Sequence, residues 1–507
     1  MTTPAIRPIG DATTADAVCG VDVGTQGVRA VVADRDGAVL GSGLAAMGGD
    51  ARDGSRHEQD PDQWWSALVR AVRAAVDQAG AGVRIGALAL DATSGTVLVE
   101  SSAGTHRGPA LMYDDARAGE QAGRAQAVGA ELWSALGYRM QPSWALPKAL
   151  WLLENDAVAR GDRIVHQSDH LVGRLTASAV ATDTSNALKT GVDLRTASWP
   201  VEVFDELGLA AGVLPGVVIP GTALGVVAAE AAEQTHLPAG AVVRAGMTDG
   251  CAAQIAAGAL DTGSWSSTLG TTLVIKGSTS ALVHDPYGAV YCHRNPDGGW
   301  MPGGASSTGA GVIAREFARL SGDGLDRLTE QARVTFPSRG VTYALGGVGE
   351  RFPFVDPDAH GYLAADAVSA PERFEALCRS VAYVEKLAYD VLSVLGADVS
   401  GPVSLSGGGS RNDWWNQLRT DVLGRPTRRP ESVQAAMGMA ILAAAEPGHL
   451  ADTADRMVRI DARYQPDAAR GSELRGGYEN LVGELADAGW LDAELAARAL
   501  AVSGVPA

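Results

Sequence analysis

From residue 17 to 23 the chain is apolar and β-branched, and it then breaks at Gly24-Thr25-Gln26-Gly27. A second run, 28–33, leads into Asp34-Arg35-Asp36-Gly37, a strong turn signal, and a third strand resumes at 38–42. This pattern predicts an antiparallel meander at the start of a domain. Asp60-Pro61-Asp62-Gln63 reads as a helix start, with a long helix over 64–79. The apolar run 85–90 predicts a strand ending in Asp91-Ala92-Thr93-Ser94-Gly95, with 96–100 as its hairpin partner. Periodicity predicts a mostly helical stretch over 116–175. A strand over 242–246 ends on Met247-Thr248-Asp249-Gly250, and a small-residue helix over 251–259 follows.

Beyond residue 262 the opening pattern recurs: a strand over 265–269, a turn at Gly270-Thr271-Thr272 and a returning strand over 273–276. Val21-Asp22-Val23-Gly24-Thr25 and Ser267-Thr268-Leu269-Gly270-Thr271 each place Gly-Thr at the tip of a hairpin. Two halves that begin alike predict duplicated domains, 1–262 and 263–507, facing one another across a cleft. The second half is expected to contain a strand over 289–293, a helix over 311–320 and a long helix over 371–395. A strand over 403–405 then enters Ser406-Gly407-Gly408-Gly409-Ser410, followed by helices from Asp413, over 435–445 and in the tail after 465. The fold class is α/β.

At 507 residues the chain is too long for one ordinary core, which agrees with two domains. Its formal net charge of -18 disfavours a nucleic-acid or anionic-membrane partner. A phosphate-bearing small molecule stays open, since backbone N–H groups and a metal ion bind it locally. Four scattered cysteines without a CxxC pair read as buried free thiols of a reducing compartment. The first 16 residues lack the basic start and apolar core of a signal peptide, so a cytoplasmic location is expected. The nine histidines show no zinc or iron ligand spacing.

Three glycine-containing turns follow apolar strands: Gly24-Thr25, Gly270-Thr271 and Gly407-Gly408-Gly409. Glycine allows a phosphate close to the backbone, and threonine adds a hydroxyl donor. Any one of them alone reads first as an ordinary hairpin or strand–helix turn, and none fits GxxxxGK[ST]. Asp22 stands inside an apolar strand, where a carboxylate needs a metal, a hydroxyl or a cation to offset its burial. Asp249 ends another such strand, either as a helix N-cap or as a catalytic group. A kinase acting on a hydroxyl uses one carboxylate as base and commonly a second near Mg²⁺. Arg117 is either a sugar contact or the ion-pair partner of Asp114 or Glu120. Lys148 and Lys189 read as surface lysines, with phosphate neutralisation as the other option.

Taken together, Val21 to Thr25, Thr248-Asp249, Thr268 to Thr272, and Ser406 to Asn412 with Trp415 resemble the FGGY carbohydrate kinases, in order and over nearly the whole chain. The resemblance implies two ribonuclease H-like domains of the actin/hexokinase/Hsp70 type, with ATP and Mg²⁺ bound in the cleft. It implies Asp249 as catalytic base and Asp22 as the aspartate near Mg²⁺ and the phosphates, both also contacting sugar and metal. Thr25, Gln26, Gly270 and Thr271 fall in the implied phosphate turns, and Gly408, Gly409, Asn412 and Trp415 in the adenosine segment. Residues 91–98, 185–191, 287–294, 303–309 and 349–353 resemble the D-ribulokinase branch, in which the serine matching Ser94 contacts the ketopentose. The Asp114–Arg117 segment is more like the wider family, xylulokinase included. Gln434 stands where an acidic residue is common. The expected activity is phosphorylation of a ketopentose, D-ribulose first, with D-xylulose or another ketose or polyol as alternative, by a monomer or homodimer. An actin-like ATPase and an idle sugar sensor are the readings from other classes.

Overall fold

The computed structural model describes residues 16–210, 212–320, 322–334 and 340–503. The leader expectation for the N-terminus therefore lies outside the described residues, apart from Asp16. The chain divides into two compact units. Unit 1 holds residues 1–258, 293–298 and 432–459, and unit 2 holds 259–292, 299–431 and 460–507. A single cut after residue 262 was expected; two later segments return to unit 1 instead.

Unit 1 is built on a six-stranded sheet in the order Ala223–Val226, Val242–Arg244, Ile85–Ala92, Ala17–Val23, Gly27–Asp34, Val39–Ala46. The meander 17–46 is antiparallel, whereas Ile85–Ala92 runs parallel to both Ala17–Val23 and Val242–Arg244. Every residue of Ala17–Val23 is buried, which matches its unbroken apolar pattern. Helix Pro61–Ala79 begins on the Asp60 side chain, which accepts from the Asp62 N–H, with proline in the first turn. Its apolar stripe, including Trp64, Leu68 and Val72, is buried.

Helix Ala435–Ala444 explains why the chain returns to unit 1. Its small residues let it lie against Ala17–Val23, and glycines make the contact possible. A Cβ on Gly20 would come within 1.9 Å of the Ala436 carbonyl, and one on Gly438 within 1.9 Å of the Ala252 carbonyl on helix Asp249–Ala256. Neither position tolerates a side chain without moving backbone.

The expected hairpin of 85–90 with 96–100 does not form. Both edges of Ile85–Ala92 are already paired, so Val97–Glu100 joins a second sheet, between Ala110–Leu111 and Arg163–His166. The stretch 116–175 contains helices Gly119–Val128, Ala130–Leu136, Ala145–Glu154 and Gln167–Thr176, interrupted by strand Arg163–His166.

Unit 2 repeats the opening topology. Trp265–Leu269 pairs antiparallel with Leu273–Gly277 and parallel with Val403–Ser406, inside a seven-stranded sheet. Helix Ala370–Val394 starts on a capping box in which the Ser369 side chain accepts from the Glu372 N–H and Glu372 returns to the Ser369 N–H. Helix Asp413–Leu423 carries Arg419, fully buried, which donates to both Glu385 oxygens at 2.6 and 2.8 Å and to Ser267 Oγ at 2.8 Å. The tail forms helices Ala468–Asp487 and Ala493–Ser503. All four cysteines are free and buried, and burial pushes the Cys19 and Cys292 thiols up to about 12. Among the described residues no helix is long and apolar enough to cross a membrane.

Candidate active site

The chemistry of unit 1 gathers where its central strands end. Asp22 and Asp91 face each other in register across the parallel pair, and Arg29 is the register partner of Asp22 on its other side. Arg29 Nη1 donates to Asp22 Oδ2 at 3.2 Å, which offsets the burial of Asp22, 8% exposed. Asp91 is fully buried, and neither of its oxygens meets a donor among the described residues. Burial first, then the charges of Asp22 and Asp249, push its carboxyl well above the usual range.

Asp249 is the first residue of helix Asp249–Ala256, and the cap position belongs to Thr248. Asp249 Oδ1 accepts from the Gly250 N–H at 2.7 Å. Thr248 bridges to Ala92, which brings Asp249 beside Asp91 at the end of the same strand. The helix start is held from behind: the Thr248 N–H donates to Ser185 Oγ at 3.1 Å, and Ser185 Oγ also contacts Thr248 Oγ1 at 3.0 Å and His293 Nδ1 at 3.1 Å. The carboxylate oxygens of Asp22 and Asp249 are hard donors of the kind that Mg²⁺ takes.

Ser94 occupies the turn that follows. The Thr93 N–H and hydroxyl donate to Gln167 Oε1 at 3.2 and 2.7 Å, and Lys189 Nζ donates to the Ser94 carbonyl at 2.9 Å. Gly95 takes φ +97°, and a Cβ there would reach 3.0 Å from Lys189 Cδ. Lys189 is thus tied into the Ser94 turn. Lys148 is also not a surface residue: it is fully buried and donates to the Met112 carbonyl at 2.7 Å. Burial, followed by the Lys189 charge, lowers its ammonium to about 7. The surface expectation fails for Lys148, whose neighbours, uncharged in sequence, are buried in three dimensions, while Lys189 is half-buried.

Arg117 pairs with Asp115 at 2.7 Å and Glu58 at 2.6 Å and stacks 5.0 Å over Trp151, rather than meeting Asp114 or Glu120. Asp114 instead meets His57 and Arg52, which hold its carboxyl below the usual range against the effect of burial. Thr25 and Gln26 form the first hairpin turn; Gln59 Nε2 donates to the Thr25 carbonyl at 2.9 Å, and the Met47 N–H to the Gln26 carbonyl at 2.9 Å.

In unit 2, Gly270 and Thr271 lie at the tip of the second hairpin. Thr268 and Ser406 occupy the register positions that Asp22 and Asp91 occupy in unit 1, with their hydroxyls 2.7 Å apart. Gly407 (φ +82°) turns the chain tightly over Leu269, and Gly408–Arg411 forms one 3₁₀ turn in which Gly409 is buried. Asn412 caps helix Asp413–Leu423, its Oδ1 accepting from the Trp415 N–H at 3.1 Å while its Nδ2 donates to Thr329 Oγ1. Trp415, expected at the adenosine, is 4% exposed and donates through Nε1 to the Cys378 carbonyl at 2.9 Å. Its indole is therefore packed inside unit 2. Gln434 precedes helix Ala435–Ala444 in unit 1 and makes no side-chain cap.

The sequence reading gave no role to Asp91, although the signal was the one that marked Asp22: a carboxylate in an apolar strand. Ser185, His293 and Glu350 were present only inside matched stretches.

The chain matches the model of the FGGY family of carbohydrate kinases, N-terminal domain, over residues 17–256, and that of the C-terminal domain over 258–446. It is 31% identical over 441 residues to the xylulose kinase of Streptomyces rubiginosus, covering 84% of this chain and 87% of that one. Against the xylulose kinase of Escherichia coli K12 the identity is 26%, covering 89% and 95%. The crystal structure of xylulose kinase from Rhodospirillum rubrum superposes with a TM-score of 0.82 at 22% identity, over 93% of this chain and 98% of that one, and so shares the fold.

Proposed function

We propose that this chain, which belongs to the FGGY family of carbohydrate kinases, transfers the γ-phosphoryl group of ATP to the primary hydroxyl of a pentulose, D-ribulose in the first place. The observation that carries the reading is Asp249 at a helix N-terminus, beside Asp22 and Asp91 and one short turn from Ser94. Asp249 accepts the proton of the attacking hydroxyl. The Ser185–Thr248 contacts hold the helix start that carries it. The Ser94 turn, held by Gln167 and Lys189, contacts the sugar. Asp22 and Asp249 would hold Mg²⁺, which when bound neutralises charge on the transferring phosphate. In unit 2 the turns at Gly270-Thr271 and Gly408-Gly409, with Asn412, offer backbone donors to the nucleotide. Because the transition state is loose, positioning and electrostatics carry most of the acceleration.

D-ribulose is favoured by the stretch 91–98 and its Ser94. D-xylulose is the second reading, favoured by the similarity to xylulose kinases of Streptomyces rubiginosus and Escherichia coli. The two sugars are epimers at C3, so one assay separates them. ADP formation by the purified chain, measured with a panel of pentuloses, aldopentoses and polyols, should give D-ribulose the highest kcat/KM. A higher value for D-xylulose moves the assignment to that sugar, and ADP formation that no sugar stimulates removes the kinase reading.

A further inference from the structure

The stretches Gly303 to Gly309 and Gly349 to Pro353 have no part in the chemistry above, yet in unit 2 they meet at one buried carboxylate. Glu350, 2% exposed, accepts five hydrogen bonds. Its Oε2 takes Ser306 Oγ at 3.0 Å, Thr308 Oγ1 at 3.2 Å and Tyr343 Oη at 3.0 Å. Its Oε1 takes the N–H groups of Ser307 at 2.6 Å and Arg351 at 2.9 Å. Ser306 Oγ accepts in turn from the Thr308 N–H at 2.9 Å. Ser306 and Thr308 are fully buried.

What this hub holds is the backing of the turn at Gly270–Thr272. The Leu273 N–H donates to the Thr308 carbonyl at 2.7 Å, the Ala310 N–H to the Gly270 carbonyl at 2.9 Å and the Gly311 N–H to the Thr271 carbonyl at 3.1 Å. The approach is backbone on backbone: a Cβ on Gly309 would stand 2.4 Å from the Thr271 carbonyl oxygen, and one on Gly311 2.8 Å from it. A segment with glycines at 309 and 311 has little side-chain packing with which to hold its own position. A carboxylate offers about four lone-pair sites in one plane, which lets a single residue gather several donors. In a dry interior such a fully satisfied network is stiff.

We propose that Glu350 is a positioning residue for the nucleotide-phosphate turn Gly270–Thr272, acting through the segment Ser306–Gly311. The inference rests on the reading that this turn receives the nucleotide phosphates. Glu350 touches no reacting atom; it sets where the turn stands. Loss of the hub therefore weakens the nucleotide complex and leaves the sugar site of unit 1 untouched.

The test is steady-state kinetics of the purified full chain with MgATP and the preferred pentulose varied separately, alongside thermal melting. Glu350→Ala should raise KM for MgATP by about tenfold or more, with the sugar KM within about twofold of wild type. Glu350→Gln keeps one acceptor oxygen and should recover part of the loss. Thr308→Val, nearly isosteric, should move KM for MgATP in the same direction by a smaller factor. Thr271→Val probes the turn itself. If Thr271→Val raises KM for MgATP while folded Glu350→Ala leaves it unchanged, the positioning role is overturned and the nucleotide reading stands. Unchanged KM in both removes the nucleotide reading and this role with it. If Glu350→Ala does not fold, unchanged KM for MgATP in Thr308→Val overturns the role.

Discussion

Asp22 and Asp91 are register neighbours across two parallel strands, and the same two positions in unit 2 are held by Thr268 and Ser406. One topology thus presents a carboxylate pair in one unit and a hydroxyl pair in the other. Two carboxylates this close do not both ionise freely in a buried site.

The consequence for Asp91 has a sign. A carboxyl raised on folding binds a proton that the unfolded chain releases above its ordinary value of 3.8. Stability from this group is present at low pH and is lost as pH rises toward the folded value. Asp91→Asn removes that dependence, so its melting temperature relative to wild type should climb from pH 5 to pH 8. A constant difference over that range contradicts the raised carboxyl of Asp91.

Lys148 has the opposite slope. Burial holds its ammonium at about 7, against an ordinary value of 10.5. Below 7 the folded protein carries a buried charge; between 7 and 10.5 folding releases a proton, so stability from this group rises with pH. Melting of Lys148→Met against wild type at pH 6.5, 8 and 9 should show any advantage of the variant shrinking as pH increases.

The Ser94 turn should be separable from nucleotide binding. Gly95→Ala must strain a residue at φ +97° and press on Lys189. It is expected to raise the sugar KM by about tenfold while KM for MgATP stays within about twofold. Equal loss on both substrates would place the turn outside the sugar site.

Much of this was legible in the chain because hydrophobic pattern and turn chemistry are local. The meander 17–46, the Asp60 cap and the repeated Gly-Thr hairpins are all read from adjacent residues. The pairing of Val97–Glu100 was not, since it depends on which strands already occupy the edges of Ile85–Ala92. Lys148 was misplaced for a related reason: burial is decided by elements distant in sequence. Asp91 was readable in principle, but its meaning comes from Asp22, almost seventy residues earlier. The hub at Glu350 joins strands whose contact no spacing rule contains.

Ser185 offers a test of how Asp249 is oriented. Ser185→Ala leaves the Thr248 N–H without its acceptor at the start of helix Asp249–Ala256. The expected result is a fall in kcat of about tenfold, with KM for MgATP within about twofold. Unchanged kcat would show that the helix start holds its position without this contact.

The central claim is that Asp249 takes the proton from the sugar hydroxyl. Its most direct test is the rate of pentulose-dependent ADP formation by folded Asp249→Asn at saturating MgATP and sugar. The account predicts a rate lowered by about 10²–10⁴-fold or more, with MgADP binding unchanged. A rate within about tenfold of wild type would contradict it.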